Sequence, residues 1–284
     1  RLQCLALIAT NPARYETLAG PSGYKLADLQ AAYNIKTSAG HAATIAVVVA
    51  YNYPNAQSDL AKCRSQFGLP ACTTANGCFK RIDQNGQTSP LPGNAPAGDD
   101  WTVEAALDLD MASAACPSCK LILVEADDDI GDGLYDGNDA AASAGANVVS
   151  NSWGGSEDGS EPSYETNFTH AGVGYFASSG DSGYNRVPQY PSTSAHVTAV
   201  GGTTLNRSKT NTRGWAEKAW RDSGSSCSSS IAKPSYQPTV SNCTKRMASD
   251  VSAVADPATG VAVYNAANGG WIVVGGTSAS SPLV

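Results

Sequence analysis

The chain has 284 residues, with 25 Asp or Glu against 18 Lys or Arg, which gives a formal net charge of −7 at pH 7. No cluster of Lys and Arg is available to neutralise phosphates, so nucleic acid is not an expected partner. No apolar run approaches the roughly 20 residues that span a membrane, so no membrane partner is expected either. The length suits one large α/β domain or two small ones.

Residues 1–23 open the chain with an aliphatic run, Leu5–Ala9, followed by Asn-Pro and Gly-Pro turns. They predict an N-terminal extension, either a linker or a remnant of a pro-segment, rather than part of the core. No signal peptide is visible, so the chain resembles a processed form. Residues 24–284 contain no internal repeat or low-complexity linker, and we interpret them as a single domain.

Helical periodicity is predicted for Lys25–Tyr33, Ser58–Phe67 and Trp101–Ala115. Between and after these helices lie five short β-rich runs that predict buried strands: residues 44–50, 121–126, 147–152, 173–178 and 196–200. Strands that alternate with helices predict an α/β fold, with a parallel sheet flanked by helices on both faces. Residues 203–248 are expected to be irregular or hairpin-like, and Val261–Tyr264 should form a hairpin with Trp271–Val274.

The eight cysteines are even in number: Cys4, Cys63, Cys72, Cys78, Cys116, Cys119, Cys227 and Cys243. Two pairs lie in turn-rich polar segments that suit disulfides, namely Cys72 with Cys78 and Cys227 with Cys243. The Cys116-Pro-Ser-Cys119 stretch could also be a redox pair or half of a zinc site, but a second CxxC is absent and the chain has only three histidines. We therefore favour structural disulfides and a secreted protein, with the pairing left open.

Three polar residues follow predicted strands directly: Trp153, Asp181 and Ser278. In parallel α/β sheets, functional sites gather at the carboxyl ends of the strands. The sequence therefore brings these three positions to one edge of the sheet.

Ser278 belongs to the stretch Gly275–Pro282, in which a strand-like run feeds a double glycine and then small residues that could open a helix. Glycine allows a sharp turn and a close approach of substrate. A serine near a helix N-terminus lies in positive potential and can act as a nucleophile. The alternative is a Gly/Ser loop in which Thr277 or Ser278 only caps the helix.

Glu104 and Asp108 are four residues apart, which places both carboxylates on one face of a helix. Carboxylates that share protons have pKa values that are pushed apart, as general acid/base chemistry requires. The alternative is a solvated acidic face near a helix N-terminus. The neighbouring residues are apolar and carry no Lys or Arg partner, which favours the acid/base pair. Asp110 is turned away from Glu104 and is interpreted as structural or solvent-facing.

Asp181 lies in a Gly-flanked turn, where it could cap the turn or, when protonated, donate a hydrogen bond to an oxyanion. The histidines, His41, His170 and His196, do not lie in glycine-framed motifs after strands. Each is therefore interpreted as a surface or structural residue, and the base for a nucleophilic Ser278 is expected to be a carboxylate.

Several motifs occur together in this chain: Gly276–Pro282, Glu104-x-x-x-Asp108, Ser150–Gly154 and the turn around Asp181. The first resembles the nucleophile motif of the subtilisin-like superfamily, and the set resembles the sedolisins, or serine-carboxyl peptidases. The likeness runs from about residue 21 to the C-terminus with the motifs in matching order. It implies a subtilisin-like fold and endo- or tripeptidyl-peptidase activity at acid pH.

By this resemblance, Ser278 is the nucleophile and Glu104 the general base, while Asp108 orients Glu104 and Asp181 helps to form the oxyanion hole. Trp153, Gly154 and Gly276 are expected to line the substrate-binding region. The substrate is then a peptide or protein, and a monomer is expected. A carboxylate base has an ordinary pKa near ~4, so activity should peak in acid.

Two features depart from the sedolisin pattern. The family's calcium site lies well beyond the serine, whereas this chain stops at Val284, so no metal ligand and no cofactor is assigned within it. The acidic run 127–139 lacks the pattern of an EF-hand loop and is interpreted as a solvated loop with a helix cap, or as a pocket wall. Some sedolisins carry a further acid in the first strand, where this chain has Val47–Ala50.

Two other functions are considered. The first is a catalytically silent sedolisin-like module that binds peptides or a partner, as would follow if the nucleophile were misplaced. The second is a neutral-pH Ser/His hydrolase, which the histidine contexts disfavour.

Overall fold

The computed structural model describes residues 1–10, 21–37, 43–99, 101–184, 187–239 and 242–284. These residues form five α-helices: α1 (Leu26–Tyr33), α2 (Ala56–Gln66), α3 (Trp101–Ala115), α4 (Gly133–Ser143) and α5 (Thr277–Ser280). They also form sixteen strands: β1 (Gln3–Cys4), β2 (Leu7–Ile8), β3 (Thr44–Ala50), β4 (Phe79–Asp83), β5 (Lys120–Ala126), β6 (Val148–Asn151), β7 (Trp153–Ser156), β8 (Gly174–Ser178), β9 (Gln189–Tyr190), β10 (Val197–Arg207), β11 (Trp215–Ala219), β12 (Ser226–Ala232), β13 (Lys245–Ala248), β14 (Val251–Val254), β15 (Val261–Asn265) and β16 (Gly270–Gly275).

The central sheet has eight strands in the order β11-β10-β8-β6-β3-β5-β4, with β14 paired to β10. All of its neighbouring strands run parallel except β11, which is antiparallel to β10 at the edge. At its centre, Thr44–Ala50 pairs in register with Lys120–Ala126. The α/β class predicted from the alternation of strands and helices is confirmed.

Helices cover both faces of this sheet. Val47, Val48 and Val49 are each at most 1% exposed, although successive side chains of a strand point to opposite faces. On one face, α4 packs so closely that a Cβ on Gly137 would lie 2.7 Å from Val48 Cγ1. On the other, α3 contacts β3 and also packs against α1, α2 and β15. Burial on both faces explains why the strand sequences are continuously apolar.

Helix α3 carries its acidic residues into the interior. Glu104 and Asp108 are 0% exposed and Asp110 is 1% exposed. The interpretation of this helix as a solvated acidic face is therefore wrong, and Asp110 is structural rather than solvent-facing. Its Oδ2 accepts a hydrogen bond from Tyr264 N at 3.2 Å, which ties α3 to β15.

Residues 1–10, called here the N-terminal segment, lie against the domain as two short strands. β1 is antiparallel to β7, and β2 is antiparallel to β16. Leu5 and Ala6, between the two strands, are buried. The expectation that this part of the extension stays outside the core is therefore wrong for these two residues. Residues 11–20 of the predicted extension lie outside the described part of the chain.

The C-terminal third contains antiparallel hairpins in addition to the pairing of β10 with β11. β15 and β16 form the predicted one, with Val261 opposite Val274. β12 and β13 form another within the segment predicted to be irregular or hairpin-like.

Three disulfides are present among the described residues: Cys72–Cys78, Cys116–Cys119 and Cys227–Cys243. The Cys116–Cys119 stretch is thus a disulfide in this structure. None of the helices in the described residues is both long and apolar enough to cross a membrane.

Candidate active site

Ser278 lies at the junction of β16 and α5. The strand ends at Gly275, and Gly276 then adopts a φ of 91°, a left-handed conformation that favours glycine. This turn places Ser278 in the first turn of the short helix, with its side chain fully buried. Ser278 Oγ lies 2.9 Å from Glu104 Oε2, to which it donates, and 3.3 Å from the Ser152 carbonyl oxygen. The structure thus brings together two residues that are 174 positions apart.

Glu104 and Asp108 project from one face of α3 toward this serine. Asp108 Oδ1 accepts a hydrogen bond from Ser152 Oγ at 2.6 Å. Glu104 Oε1 and Asp108 Oδ2 are buried and have no hydrogen-bond partner among the described residues. Burial raises the pKa of both carboxyls well above their usual range, and the charge of Asp108 raises the pKa of Glu104 further. A single proton held by this pair removes their mutual repulsion while leaving one carboxylate able to act as a base.

Asp181 follows β8 and reaches the same turn. Its Oδ1 accepts hydrogen bonds from Thr277 N and Thr277 Oγ1, both at 2.8 Å. Its Oδ2 is buried and has no partner among the described residues. Burial raises the pKa of Asp181 to about 7, so the carboxyl is protonated in acid. A Cβ on Gly276 would lie 2.7 Å from Oδ2 and would overlap the Leu5 carbonyl oxygen, so both oxygens face the backbone at Gly276.

Trp153 and Gly154 lie on β7, beside the site. The Trp153 side chain is 0% exposed and packs edge-to-face on Tyr135, with the ring centroids 5.3 Å apart. It therefore supports β7 from within the core. The backbone of Gly154 faces the N-terminal segment, where it pairs with Gln3.

The N-terminal segment supplies the other contacts of the Glu104 carboxylate. Glu104 Oε2 accepts hydrogen bonds from Leu5 N at 2.7 Å and from Ala6 N at 2.8 Å. Sequence reasoning missed these contacts, since backbone N–H groups carry no sequence signature. It also gave no role to Ser152, although this residue belongs to the Ser150–Gly154 motif.

The described histidines lie away from Ser278. His170 Nδ1 lies 2.8 Å from the Tyr175 hydroxyl, and its Nε2 lies 3.4 Å from Asp139. His196 Nε2 lies 3.8 Å from Glu165. Both side chains are partly exposed and neither contacts the serine, whose hydrogen bond goes to the Glu104 carboxylate instead. His41 lies outside the described residues.

The acidic loop after β5 has mixed roles. Asp128 Oδ1 accepts from Ile130 N and Gly131 N, both at 2.9 Å, which closes a turn. Asp129 is buried and pairs with Arg1 Nε at 2.8 Å. Ile130 and Gly131 line a cavity of about 450 Å³ next to the N-terminal segment, as a pocket wall would. Among the described residues, no group of three or more His, Cys, Asp or Glu side chains could hold a metal ion, and no metal ligand is assigned.

The parallel α/β sheet and a buried serine hydrogen-bonded to an acid define a serine peptidase of subtilisin-like architecture. The sequence profile of the Subtilase family, Peptidase_S8, matches residues 24–284, and the chain belongs to this family. Both the predicted superfamily and the predicted fold are thereby confirmed. No curated protein sequence matches the chain significantly.

Solved structures with the same fold include three peptidases. Pseudomonas sedolisin, a serine-carboxyl proteinase complexed with pseudo-iodotyrostatin, has a TM-score of 0.71 at 23% identity, covering 93% of this chain and 79% of its own. The epidermin leader peptide processing protease of Staphylococcus aureus has a TM-score of 0.58 at 14% identity, covering 99% and 71%. Fervidolysin from Fervidobacterium pennivorans, a keratinolytic enzyme, has a TM-score of 0.56 at 16% identity, covering 100% and 43%.

Proposed function

We propose that this chain is an acid-acting serine-carboxyl peptidase of the sedolisin type, which cleaves peptide or protein substrates through an acyl-enzyme on Ser278. One observation carries the proposal: Ser278 Oγ donates to Glu104 Oε2 at 2.9 Å. A serine needs an adjacent base within hydrogen-bond reach to become a nucleophile. Here that base is a carboxylate, which distinguishes the site from a Ser/His hydrolase.

The acid pair supplies the proton transfers. Glu104 takes the proton of Ser278 as the oxygen attacks the substrate carbonyl, and it then donates that proton to the leaving nitrogen. Asp108 influences the charge of Glu104. Because both groups are buried, the state in which the pair shares one proton is more stable than the state in which both carboxylates are charged. Ser152 fixes Asp108 through the 2.6 Å hydrogen bond.

Asp181 supplies the oxyanion donor. Its Oδ2 lacks a partner among the described residues and lies near Gly276. A protonated carboxyl placed there can donate to the oxygen that becomes negative in the transition state. Because burial raises the pKa of Asp181 to about 7, the donor is present below that pH and is lost as the pH rises through it. This supports activity confined to acid conditions.

The test compares hydrolysis of a denatured protein across pH 3 to 8 with fluorophosphonate labelling of the serine. The wild type should turn over substrate with a maximum in acid, whereas Ser278→Ala and Glu104→Gln should each lose about 10³-fold or more in kcat. Two buried controls, Ser280→Ala on α5 and Asp110→Asn on α3, have side chains bonded elsewhere and should retain activity.

Substantial turnover by either active-site variant would contradict the assignment, and a maximum at neutral pH would favour a Ser/His hydrolase. A folded wild type with neither turnover nor labelling would identify a catalytically silent peptide-binding module.

The three disulfides support a secreted protein. We further propose that it acts as a monomer.

A further inference from the structure

We propose that Asp99 and Asp129 form a distal subsite of the substrate cleft, and that this subsite binds an arginine side chain at the fifth residue before the bond that is cleaved. This inference rests on the proposed peptidase function and deepens it, because it names a class of preferred substrate. The contacts that carry it are those of the N-terminal segment, whose backbone lies beside Ser278 as an extended peptide.

The N-terminal segment shows the register that a peptide takes at the serine. Glu104 Oε2, which accepts from Ser278 Oγ, also accepts from Ala6 N at 2.8 Å. The Leu5 carbonyl oxygen approaches Gly276 so closely that a Cβ there would lie 1.9 Å from it. A separate substrate in this register therefore presents to the serine the bond that corresponds to the one between Leu5 and Ala6.

Main-chain contacts extend this register upstream. Gln3 and Cys4 pair with β7 as an added antiparallel strand, and Leu2 N donates to the Asp129 carbonyl oxygen at 2.8 Å. Pairing with a free strand holds an extended peptide through its backbone, whatever its side chains are. The fifth residue before the bond of such a substrate therefore comes to the position of Arg1.

The Arg1 guanidinium bridges the two carboxylates. Its Nε lies 2.8 Å from Asp129 Oδ2, and its Nη2 lies 2.7 Å from Asp99 Oδ2. Two donors of one planar group are used at once, an arrangement that the compact ammonium group of lysine reproduces less well. This bound cation distinguishes the two carboxylates from an ordinary acidic surface.

Asp129 is held in one position by the domain. Its side chain is buried, and it accepts from the Tyr51 hydroxyl at 3.2 Å and from Trp101 Nε1 at 3.4 Å. A buried carboxylate is costly unless it is paired with a cation. A guanidinium therefore gains a partner whose geometry is already fixed, and little conformational entropy is lost on binding.

Asp99 lies at the open side of the subsite. Its side chain is 25% exposed, and that of Arg1 is 53% exposed. A cavity of about 270 Å³ lies beside the pair and is lined by Gly98 and Trp101 as well as by both carboxylates. The guanidinium is thus not enclosed, and the side chain of another peptide can take its place. Because exposed ion pairs contribute little, most of the preference should come from Asp129.

The experiment measures kcat/KM of the full chain at pH 5 on four peptides. They are acetyl-Xaa-Leu-Gln-Ser-Leu-Ala-Leu-Ile, with serine in place of Cys4 and with Arg, Lys, Ala or Glu as the first residue, and mass spectrometry locates the cut. The Arg peptide should exceed the Ala peptide by about tenfold or more, as expected for a hydrogen bond between charged groups. The Lys peptide should fall between them, and the Glu peptide, which faces two like charges, should be the poorest. The N-terminal segment competes equally with all four peptides, so these ratios do not depend on how often it occupies the cleft.

Variants assign the preference to the two carboxylates. Asp99→Asn and Asp129→Asn should each lower the ratio of the Arg to the Ala peptide toward one. Asp127→Asn, the same change at an exposed position nearby, is the control and should keep the wild-type ratio. Asp99→Lys should raise kcat/KM on the Glu peptide, a gain that a misfolded protein cannot show. If Asp129→Asn does not fold, the two Asp99 variants decide.

Activity on denatured protein separates the two proposals. A wild type that hydrolyses denatured protein but cleaves the Arg and Ala peptides equally well, or cuts the Arg peptide at another bond, overturns the subsite and leaves the peptidase function standing. An Arg preference that persists in the Asp99 variants also overturns the subsite as a pair of carboxylates. A wild type that cleaves neither denatured protein nor any peptide overturns both proposals.

Discussion

Ser152 links three parts of the site through a single residue. Its hydroxyl donates to Asp108 Oδ1 at 2.6 Å, and its carbonyl oxygen lies 3.3 Å from both Ser278 Oγ and Leu5 N. The hydroxyl contacts Asp108 and not Ser278 Oγ, so in the proposed mechanism Ser152 is a positioning residue. Its hydrogen bond lowers the pKa of Asp108 and so opposes the effect of burial, which raises it. The charge of the acid pair therefore depends on this hydroxyl.

Ser152→Ala tests this dependence. Without the hydroxyl, neither oxygen of Asp108 has a hydrogen-bond partner among the described residues, so the proton is held more tightly and the acid limb of the pH–rate profile should move to higher pH. The loss of a buried hydrogen bond should also cost about 1–3 kcal/mol in unfolding free energy. The measurements are a kcat/KM profile against pH and a urea titration.

Ser150→Ala provides the matched control. This serine lies two residues earlier, and its hydroxyl contacts Ser281 Oγ at 2.9 Å rather than the acid pair. It should lose some stability with no movement of the pH profile. An acid limb that stays in place in Ser152→Ala would show that the hydroxyl has a structural role alone.

At the scale of elements, the sequence predicted what local patterns determine. The strand 44–50, the helix Trp101–Ala115 and the β15–β16 hairpin follow from periodicity and turn residues within a few positions, and each is present. The proximity of Ser278 and Glu104 was predicted by motif, and the structure shows a direct hydrogen bond.

The pairing of the N-terminal segment could not be predicted in this way. β1 and β2 are two residues each, too short for a periodic pattern, and their partners lie far along the chain, as in the pairing of Ile8 with Val274. A run of aliphatic residues from Leu5 to Ala9 was visible, but nothing local identifies the partner of so short a strand. The contact of Ser152 with Asp108 could not be predicted either, because no local pattern identifies a partner so far along the chain.

The packing of α4 on the central sheet gives a prediction for one helix. A Cβ on Gly137 would lie 2.7 Å from Val48 Cγ1 and 3.4 Å from Val124 Cγ1. Alanine improves helix propensity by about 1 kcal/mol, but overpacking a tight core costs typically about 1–3 kcal/mol. Because both valines are buried in neighbouring strands and have little room to move, Gly137→Ala should destabilise the protein.

The measurement is the urea midpoint of Gly137→Ala, made in a Ser278→Ala background to prevent proteolysis. Asp136→Ala, at the exposed neighbouring position of the same helix, is the control and should change the midpoint little. An increase in stability for Gly137→Ala would mean that the helix shifts away from β3 without cost, contrary to the close packing of Gly137 on Val48.

Across the whole molecule, several acidic groups are buried and have a raised pKa. Burial raises the pKa of Glu104 and Asp108 well above their usual range, that of Asp110 to about 8 and that of Asp181 to about 7. When protonated, each group is neutral and its burial costs little free energy. When ionised, each group destabilises the folded state because a buried charge loses its hydration. Ionisation of these groups as the pH rises should therefore lower the stability of the folded state.

Asp110→Asn isolates this effect from catalysis. The unfolded state releases the Asp110 proton near pH ~4, whereas the folded state keeps it until about pH 8. Between these values the folded state binds more protons, so this group lowers stability by up to about 1.4 kcal/mol per pH unit as the pH rises. Asparagine is neutral throughout, so the variant should lose less stability between pH 5 and 8 than its parent.

The comparison uses urea unfolding at pH 5, 6.5 and 8 in the Ser278→Ala background. Asp127→Asn, at an exposed position, is the control and should follow the parent at each pH. In Asp110→Asn, the amide oxygen of the introduced side chain can still accept from Tyr264 N, so a large loss at pH 5 is not expected. Equal slopes for Asp110→Asn and its parent would show that Asp110 ionises in the folded state without penalty.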